Sequence, residues 1–372
     1  MSRFFDLVSK PAREMGEQQP RVWPRPGAPG PALRLIKLDS NENPFGPSPR
    51  AMEAMRLALA SSHSYPDDDC GELCRKLAGC HAVAPEQVLV TAGSTALLGL
   101  LCQTMLAPGR NAVTSERSFI VYAMAVHAAG ARLIETPMRD DTFDLEAILG
   151  AINENTRIVF LANPNNPTGT MIGADAVGKF LGAVPGHVVV VLDEAYHEFA
   201  QHSAARRKVE YSRSLDYVRQ GASVVVLRTF SKVHGLAGLR IGYGVGPAEL
   251  LAYCARMRNT FSVSSVAQAA ALAALDDQNH IGRTVVNNAA QAQVLEEGLS
   301  DLGYRVVPTA ANFLYCDVGG EAVGIARRLR DEGVSVRPLR AWGAPSCIRI
   351  TVGTSEQNQF FLNAACKLAR GS

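Results

Sequence analysis

Four consecutive valines, Val188 to Val191, followed by Leu192 and Asp193, constrain the fold more than any other segment of this chain. A run that is apolar at every position offers no polar face to water, so it reads as a strand buried on both sides within a parallel sheet. Comparable strand patterns fall at 88–91, 112–115, 132–137, 157–161, 223–228 and about 239–245. Helical patterns separate them, including 95–106, 119–129, 144–152 and 173–183. This alternation predicts a mainly parallel sheet with right-handed connections and helices on both faces. The strand near 239–245 follows its predecessor with no helix between, and is expected to run antiparallel. From about 247 to 303 the pattern is helical, and short strands near 312–318, 334–339 and 347–352 with helices 321–333 and 355–369 predict a smaller α+β unit. A length of 372 residues suits two domains. The reading is a large α/β domain over 37–258 and a smaller α+β domain over 259–372, to which the N-terminal segment contributes. An irregular arm, 1–36, rich in proline and glycine, precedes them.

Composition excludes several functions. The 37 basic and 35 acidic residues nearly cancel, leaving net +2, and no basic patch is interleaved with aromatics, so no nucleic-acid partner is expected. No apolar run approaches the ~20 residues of a membrane span, and the N-terminus lacks a signal-peptide pattern. The eight cysteines are scattered. The group Cys70, Cys74, Cys80 and His81 lacks paired Cys-x-x-Cys spacing, so reduced thiols in a cytoplasmic protein are expected, with no metal. Gly235, Gly238 and Gly242 do not have the spacing of a dinucleotide-binding turn.

Four segments carry chemistry. In Leu227-Arg228-Thr229-Phe230-Ser231-Lys232, a lysine follows a strand, precedes a glycine-spaced turn, and has Arg240 eight residues on. An amine that condenses with a cofactor aldehyde needs a rigid perch and a nearby cation for the cofactor's phosphate. Thr229 and Ser231 add hydroxyl donors. In Leu192-Asp193-Glu194-Ala195-Tyr196, a carboxylate sits at the C-terminal end of a strand, where open α/β sheets bind ligands. Asp193 is suited to pair with a pyridinium nitrogen, and Tyr196 to reach the ring oxygen. Asn163-Pro164-Asn165-Asn166-Pro167-Thr168-Gly169 is a turn able to aim an amide at a ligand. Gly93, Ser94 and Thr95 open an apolar helix after strand 88–91, where free backbone amides favour an anion.

In order and spacing these motifs resemble the fold-type I pyridoxal-phosphate aminotransferases of class I/II, and among them the histidinol-phosphate aminotransferase family, over about Leu38 to Gly353. Leu38-Asp39-Ser40-Asn41-Glu42-Asn43-Pro44, Ser64-Tyr65-Pro66-Asp67 and Cys347-Ile348-Arg349-Ile350-Thr351-Val352-Gly353 complete the likeness. The resemblance implies an α/β fold-type I transferase with pyridoxal 5'-phosphate as cofactor. It makes Lys232 the Schiff-base lysine and Asp193 the partner of the ring nitrogen. Asn166 and Tyr196 take the ring oxygen, and Phe119 stacks on the ring. Gly93, Ser94, Thr95, Thr229, Ser231 and Arg240 hold the phosphate, with Tyr65 supplied by a neighbouring subunit of a homodimer that shares its sites. Arg349 is implied for the substrate's anionic group, with Arg337, Asn41 and Glu42 around it.

The resemblance further implies ping-pong transamination between histidinol phosphate and 2-oxoglutarate, within histidine biosynthesis. Departures keep a second donor class open. The family's N-terminal tyrosine is replaced by Val22-Trp23-Pro24-Arg25-Pro26-Gly27, Arg117 stands where a proline is common, and His234 follows the lysine where an aromatic is frequent. Trp23 or Phe45 would suit a flat apolar side chain, so phenylalanine or tyrosine transamination is the alternative. Decarboxylation of a phosphorylated amino acid is a further reading on the same cofactor.

Overall fold

The computed structural model describes residues 7–14 and 35–370. The arm read over 1–36, with Trp23, therefore lies largely outside the described residues; within it Lys10–Glu14 is a short helix.

Strand Val189–Asp193 lies at the centre of a seven-stranded sheet, and every residue from Val190 to Asp193 is buried. The strand order is Val88–Thr91, Gly242–Val245, Val224–Thr229, Val189–Asp193, Thr156–Ala162, Asn111–Ser115 and Arg132–Thr136. All pairs are parallel except those made by Gly242–Val245, which is antiparallel to both neighbours. The expected antiparallel strand is thus present but begins later, because Ala237–Leu239 forms a 3-10 turn. That turn is too short to carry the chain across the sheet, so it folds straight back.

The large core lies on both faces of this sheet, with Leu97, Leu98 and Leu101 of helix Ser94–Met105 fully buried. The helical region after 247 resolves into Ala248–Arg256, Ser265–Leu275 and Gln278–Asp301. Ser265–Leu275 packs against Pro49–Ala58, and its Ala267, Ala270, Ala271 and Ala274 join the large core, although they lie beyond residue 258. Small side chains let the two helices approach closely.

A four-stranded antiparallel sheet forms from Arg305–Val307, Phe313–Asp317, Cys347–Thr351 and Arg337–Pro338, in that order. Arg305–Val307 was not expected: three residues are too few to show alternation. Strand Ile36–Lys37 pairs in parallel with Val334–Ser335, and Leu38 enters this second core. The chain just after Leu38 is thereby drawn between the two sheets.

Candidate active site

The carboxyl ends of Thr156–Ala162, Val189–Asp193 and Val224–Thr229 deliver the loops bearing Asn166, Asp193 and Lys232 to one edge of the large sheet. A cavity of about 450 Å³ opens there. It is lined by Asn41 and Glu42, Ser94 and Thr95, Phe119, Asn166, Asp193 and Tyr196, Thr229, Ser231, Lys232 and Arg240, and Arg337 and Arg349. Of the residues expected to hold cofactor or substrate, Gly93 and Tyr65 do not line it, and neither does Phe45, whose ring centre lies 3.9 Å from the Arg283 guanidinium.

Lys232 enters between two cations, Arg349 and Arg240, and two carboxylates, Glu42 and Asp193. Its Nζ donates to the Ser40 carbonyl at 3.4 Å and lies 5.7 Å from the centre of the Tyr196 ring. Burial, reinforced by Arg349 and Arg240, pulls this ammonium down to about 8. Asp193 is 5% exposed; its Oδ2 accepts from the Tyr122 hydroxyl at 2.9 Å and its Oδ1 from the Ala195 amide at 3.3 Å. Burial pushes the carboxyl up to about 6, against the pull of those two hydrogen bonds. The next residue anchors the strand end: Glu194 accepts from the Arg228 guanidinium at 2.9 Å and from Ser212 at 2.5 Å, all within the protein. Although burial opposes it, Arg228 and His197 hold the Glu194 carboxyl well below the usual range.

At the opposite end a guanidinium and two hydroxyls gather at a helix start. Helix Ser94–Met105 begins after Gly93, whose φ is 86°. A Cβ at Gly93 would fall 2.6 Å from Arg240 Nη2, so only glycine lets this guanidinium lie against the helix start. Arg240 Nη1 also donates to the Ser231 hydroxyl at 3.4 Å, and Thr229 Oγ1 accepts from the Ser231 amide at 3.1 Å. Gly242 serves the same approach from the neighbouring strand, since a Cβ there would meet the Ser94 amide nitrogen at 2.5 Å.

Across the cavity the smaller sheet contributes Arg349, 6% exposed. It donates to Asn166 Oδ1 at 2.6 Å and to the Asp39 carbonyl at 3.0 Å, while its buried Nε has no acceptor. Arg337 lies directly opposite Arg349 in the strand pairing and donates to the same Asp39 carbonyl at 3.3 Å. Asn41, with φ of 56°, donates to the Tyr196 hydroxyl at 2.9 Å and is pinned through its amide to Thr351 Oγ1. Glu42 is exposed and pairs with Lys37 at 3.5 Å. Tyr65 is 83% exposed, stacks on Phe261 with centroids 4.5 Å apart and does not line the cavity.

Two residues were missed in the sequence. Tyr122 lies in the first turn of helix Val121–Ala128, just after Phe119, and its ring meets the Phe119 ring edge-on with centroids 5.7 Å apart. Trp342, in the 3-10 turn Arg340–Trp342, lines the cavity with no motif to mark it.

A family model for aminotransferase class I and II matches residues 34–364. The chain belongs to the class I and II aminotransferase family. Among curated members of this family, histidinol-phosphate aminotransferase 2 of Pseudomonas aeruginosa is 44% identical over 335 residues, covering 90% of this chain and 89% of the relative. Histidinol-phosphate aminotransferase of Moorella thermoacetica is 41% identical, covering 89% and 84%. Among solved aminotransferases, that of Sinorhizobium meliloti, a histidinol-phosphate aminotransferase in complex with pyridoxal-5'-phosphate, superposes with a TM-score of 0.82 at 31% identity over 90% of this chain and 91% of the other. Thermus thermophilus aspartate aminotransferase with maleate gives 0.80 at 26% identity, covering 91% of each.

Proposed function

We propose that this aminotransferase uses pyridoxal 5'-phosphate to transfer the amino group of histidinol phosphate to 2-oxoglutarate. The observation that carries the reading is the opposition, across one cavity, of a lysine amine with a depressed pKa and a buried carboxylate, with an arginine held over a helix N-terminus beside them. A phosphorylated pyridine aldehyde fits this donor set: the amine for the aldehyde, Asp193 for a cationic ring nitrogen, and Arg240, Ser94, Thr95, Thr229 and Ser231 for a dianionic phosphate. The space of the missing Gly93 Cβ is taken by Arg240, whose guanidinium thus lies at the helix start, and this supports a phosphate there. When bound, the cofactor supplies an electrophilic carbonyl and an electron-withdrawing ring.

The chain's own residues do the rest. Lys232, pulled down to about 8, holds an appreciable neutral fraction near neutral pH, so it can accept a proton from the donor's α-carbon and return it. Asp193 is ionised above about 6 and would supply the counter-charge to a cationic ring nitrogen. Tyr196, oriented by Asn41, and Asn166 present hydrogen bonds to the ring oxygen. Phe119, which lines the cavity, would offer its ring to the face of the cofactor. Arg349 is held ready by Asn166 and the Asp39 carbonyl, and takes the anionic group of donor or acceptor, with Arg337 beside it.

The protein acts as a cytoplasmic homodimer in which Tyr65, exposed and clear of its own cavity, completes the partner's phosphate site. All eight cysteines are free, and no helix among the described residues is long and apolar enough to cross a membrane. The division into domains follows the two cores: the large domain runs to Leu275, and the smaller one takes Gln278 onward together with the strand at Ile36.

The names of the curated relatives favour histidinol phosphate over an aromatic amino acid as donor. The test is single-turnover conversion of the loaded enzyme by histidinol phosphate, phenylalanine, tyrosine and phosphothreonine at equal concentration. Histidinol phosphate is expected to react fastest; faster conversion by phenylalanine or tyrosine would reassign the donor. Release of CO₂ with no need for a keto acid would reassign the reaction.

A further inference from the structure

A second cavity, of about 310 Å³, adjoins the site, and only Phe119 and Trp342 line both. Its other walls include Glu116, Arg117, Leu133 and Glu135. Arg117 is engaged by Asp141 at 2.9 Å and Glu116 at 3.1 Å, so the far chamber holds no idle cation from that residue. The two shared aromatics therefore form the partition. Phe119 belongs to the cofactor's surroundings, whereas Trp342 is carried by the 3-10 turn of the smaller sheet, near Arg349, with 5.9 Å from guanidinium to ring centre. The turn is firmly seated, because Leu339 and Ala344 are buried with Val307, Tyr315 and Cys347. The indole Nε1 is buried without an acceptor. A buried N–H is normally paired, and this one has no partner within the protein although its residue lines the cavity.

We infer that Trp342 sets donor specificity. Its ring closes the site against the second cavity and so limits the depth available to the donor's side chain, while its indole N–H is reserved for an acceptor on a compact polar donor. The inference rests on the transaminase reading above. Removing the ring would join the two chambers and admit a larger flat side chain; a phenyl ring in its place would lack the N–H while keeping most of the wall.

The experiment compares kcat/KM of cofactor-loaded wild type, Trp342→Phe and Trp342→Ala with histidinol phosphate and with tryptophan, at fixed 2-oxoglutarate. Trp342→Ala is expected to raise the ratio of tryptophan to histidinol phosphate at least roughly tenfold, the scale of pocket-volume discrimination. Trp342→Phe is expected to lower kcat/KM for histidinol phosphate about tenfold, the cost of one hydrogen bond to a charged or polar group, with tryptophan still poor. If Trp342→Ala does not fold, the Phe variant, which keeps an aromatic ring at this position but lacks the N–H, decides. Wild type active on histidinol phosphate, with the ratio unchanged in both variants, overturns the inference alone. Wild type inactive on both donors overturns the functional reading and this inference with it.

Discussion

The Tyr122 hydroxyl donates a 2.9 Å hydrogen bond to Asp193 Oδ2, although 71 residues separate the two in sequence. The bond meets a carboxyl whose burial would otherwise raise its pKa further, and so helps keep the charge that the ring nitrogen needs. Tyr122 acts through Asp193 and is a positioning residue. Tyr122→Phe is expected to move the acid limb of the kcat/KM profile to higher pH and to weaken cofactor retention, on the order of tenfold for one charge-assisted hydrogen bond. An unshifted acid limb would remove Tyr122 from this role.

Lys232 and Asp193 give the cofactor-free protein opposite pH dependences. The folded carboxyl is raised to about 6, so the stability it contributes is full below the unfolded value near 4 and is lost as pH rises through 6. The folded lysine is lowered to about 8, so the unfolded chain binds more protons between about 8 and 10.5, and stability rises with pH across that window. Denaturant melts of the apoenzyme and of Lys232→Ala from pH 5 to 10 separate the two. The rise above pH 8 is expected to vanish in the variant.

Gly93→Ala places a methyl 2.6 Å from Arg240 Nη2, at a backbone with φ of 86°. The guanidinium must move away from the helix start. Cofactor dissociation is expected to rise by roughly tenfold to a hundredfold, as befits loss of a charge-assisted phosphate contact. Equilibrium dialysis against pyridoxal phosphate measures it, and Arg240→Lys is expected to be weakened in the same direction because it lacks the planar fork.

The proposal that Tyr65 completes a partner's site predicts complementation. Lys232→Ala and Tyr65→Ala are each expected to be poorly active alone. Subunit exchange would then build a heterodimer in which one site has both Lys232 and the other subunit's Tyr65. Recovery of activity on mixing supports Tyr65 acting across the dimer; no recovery places it within its own subunit or outside the site.

Glu194→Ala leaves Arg228 buried without its 2.9 Å partner, immediately beside Asp193. Breaking a buried pair from one side costs about 3–5 kcal/mol, so a fall in Tm of roughly ten degrees is expected by calorimetry. A change under two degrees would mean that His197 or water takes over the guanidinium.

The sequence by itself determined what depends on short stretches of chain. Val188 to Val191 can satisfy burial only as an interior strand, and the residues that follow each such strand must emerge at the sheet's carboxyl edge. Asp193, Lys232 and the Asn163–Gly169 turn were legible for that reason, and so was the helix start at Ser94. What only the tertiary structure decided are the pairings between distant segments. Arg349 reaches Asn166 across 183 residues and Asn41 reaches Tyr196 across 155. Helix Ser265–Leu275 joins the large core, and Trp342 comes to stand between two cavities. Such contacts leave no periodicity in the chain, because they are fixed by how the smaller sheet seats against the larger one rather than by any local preference of the backbone.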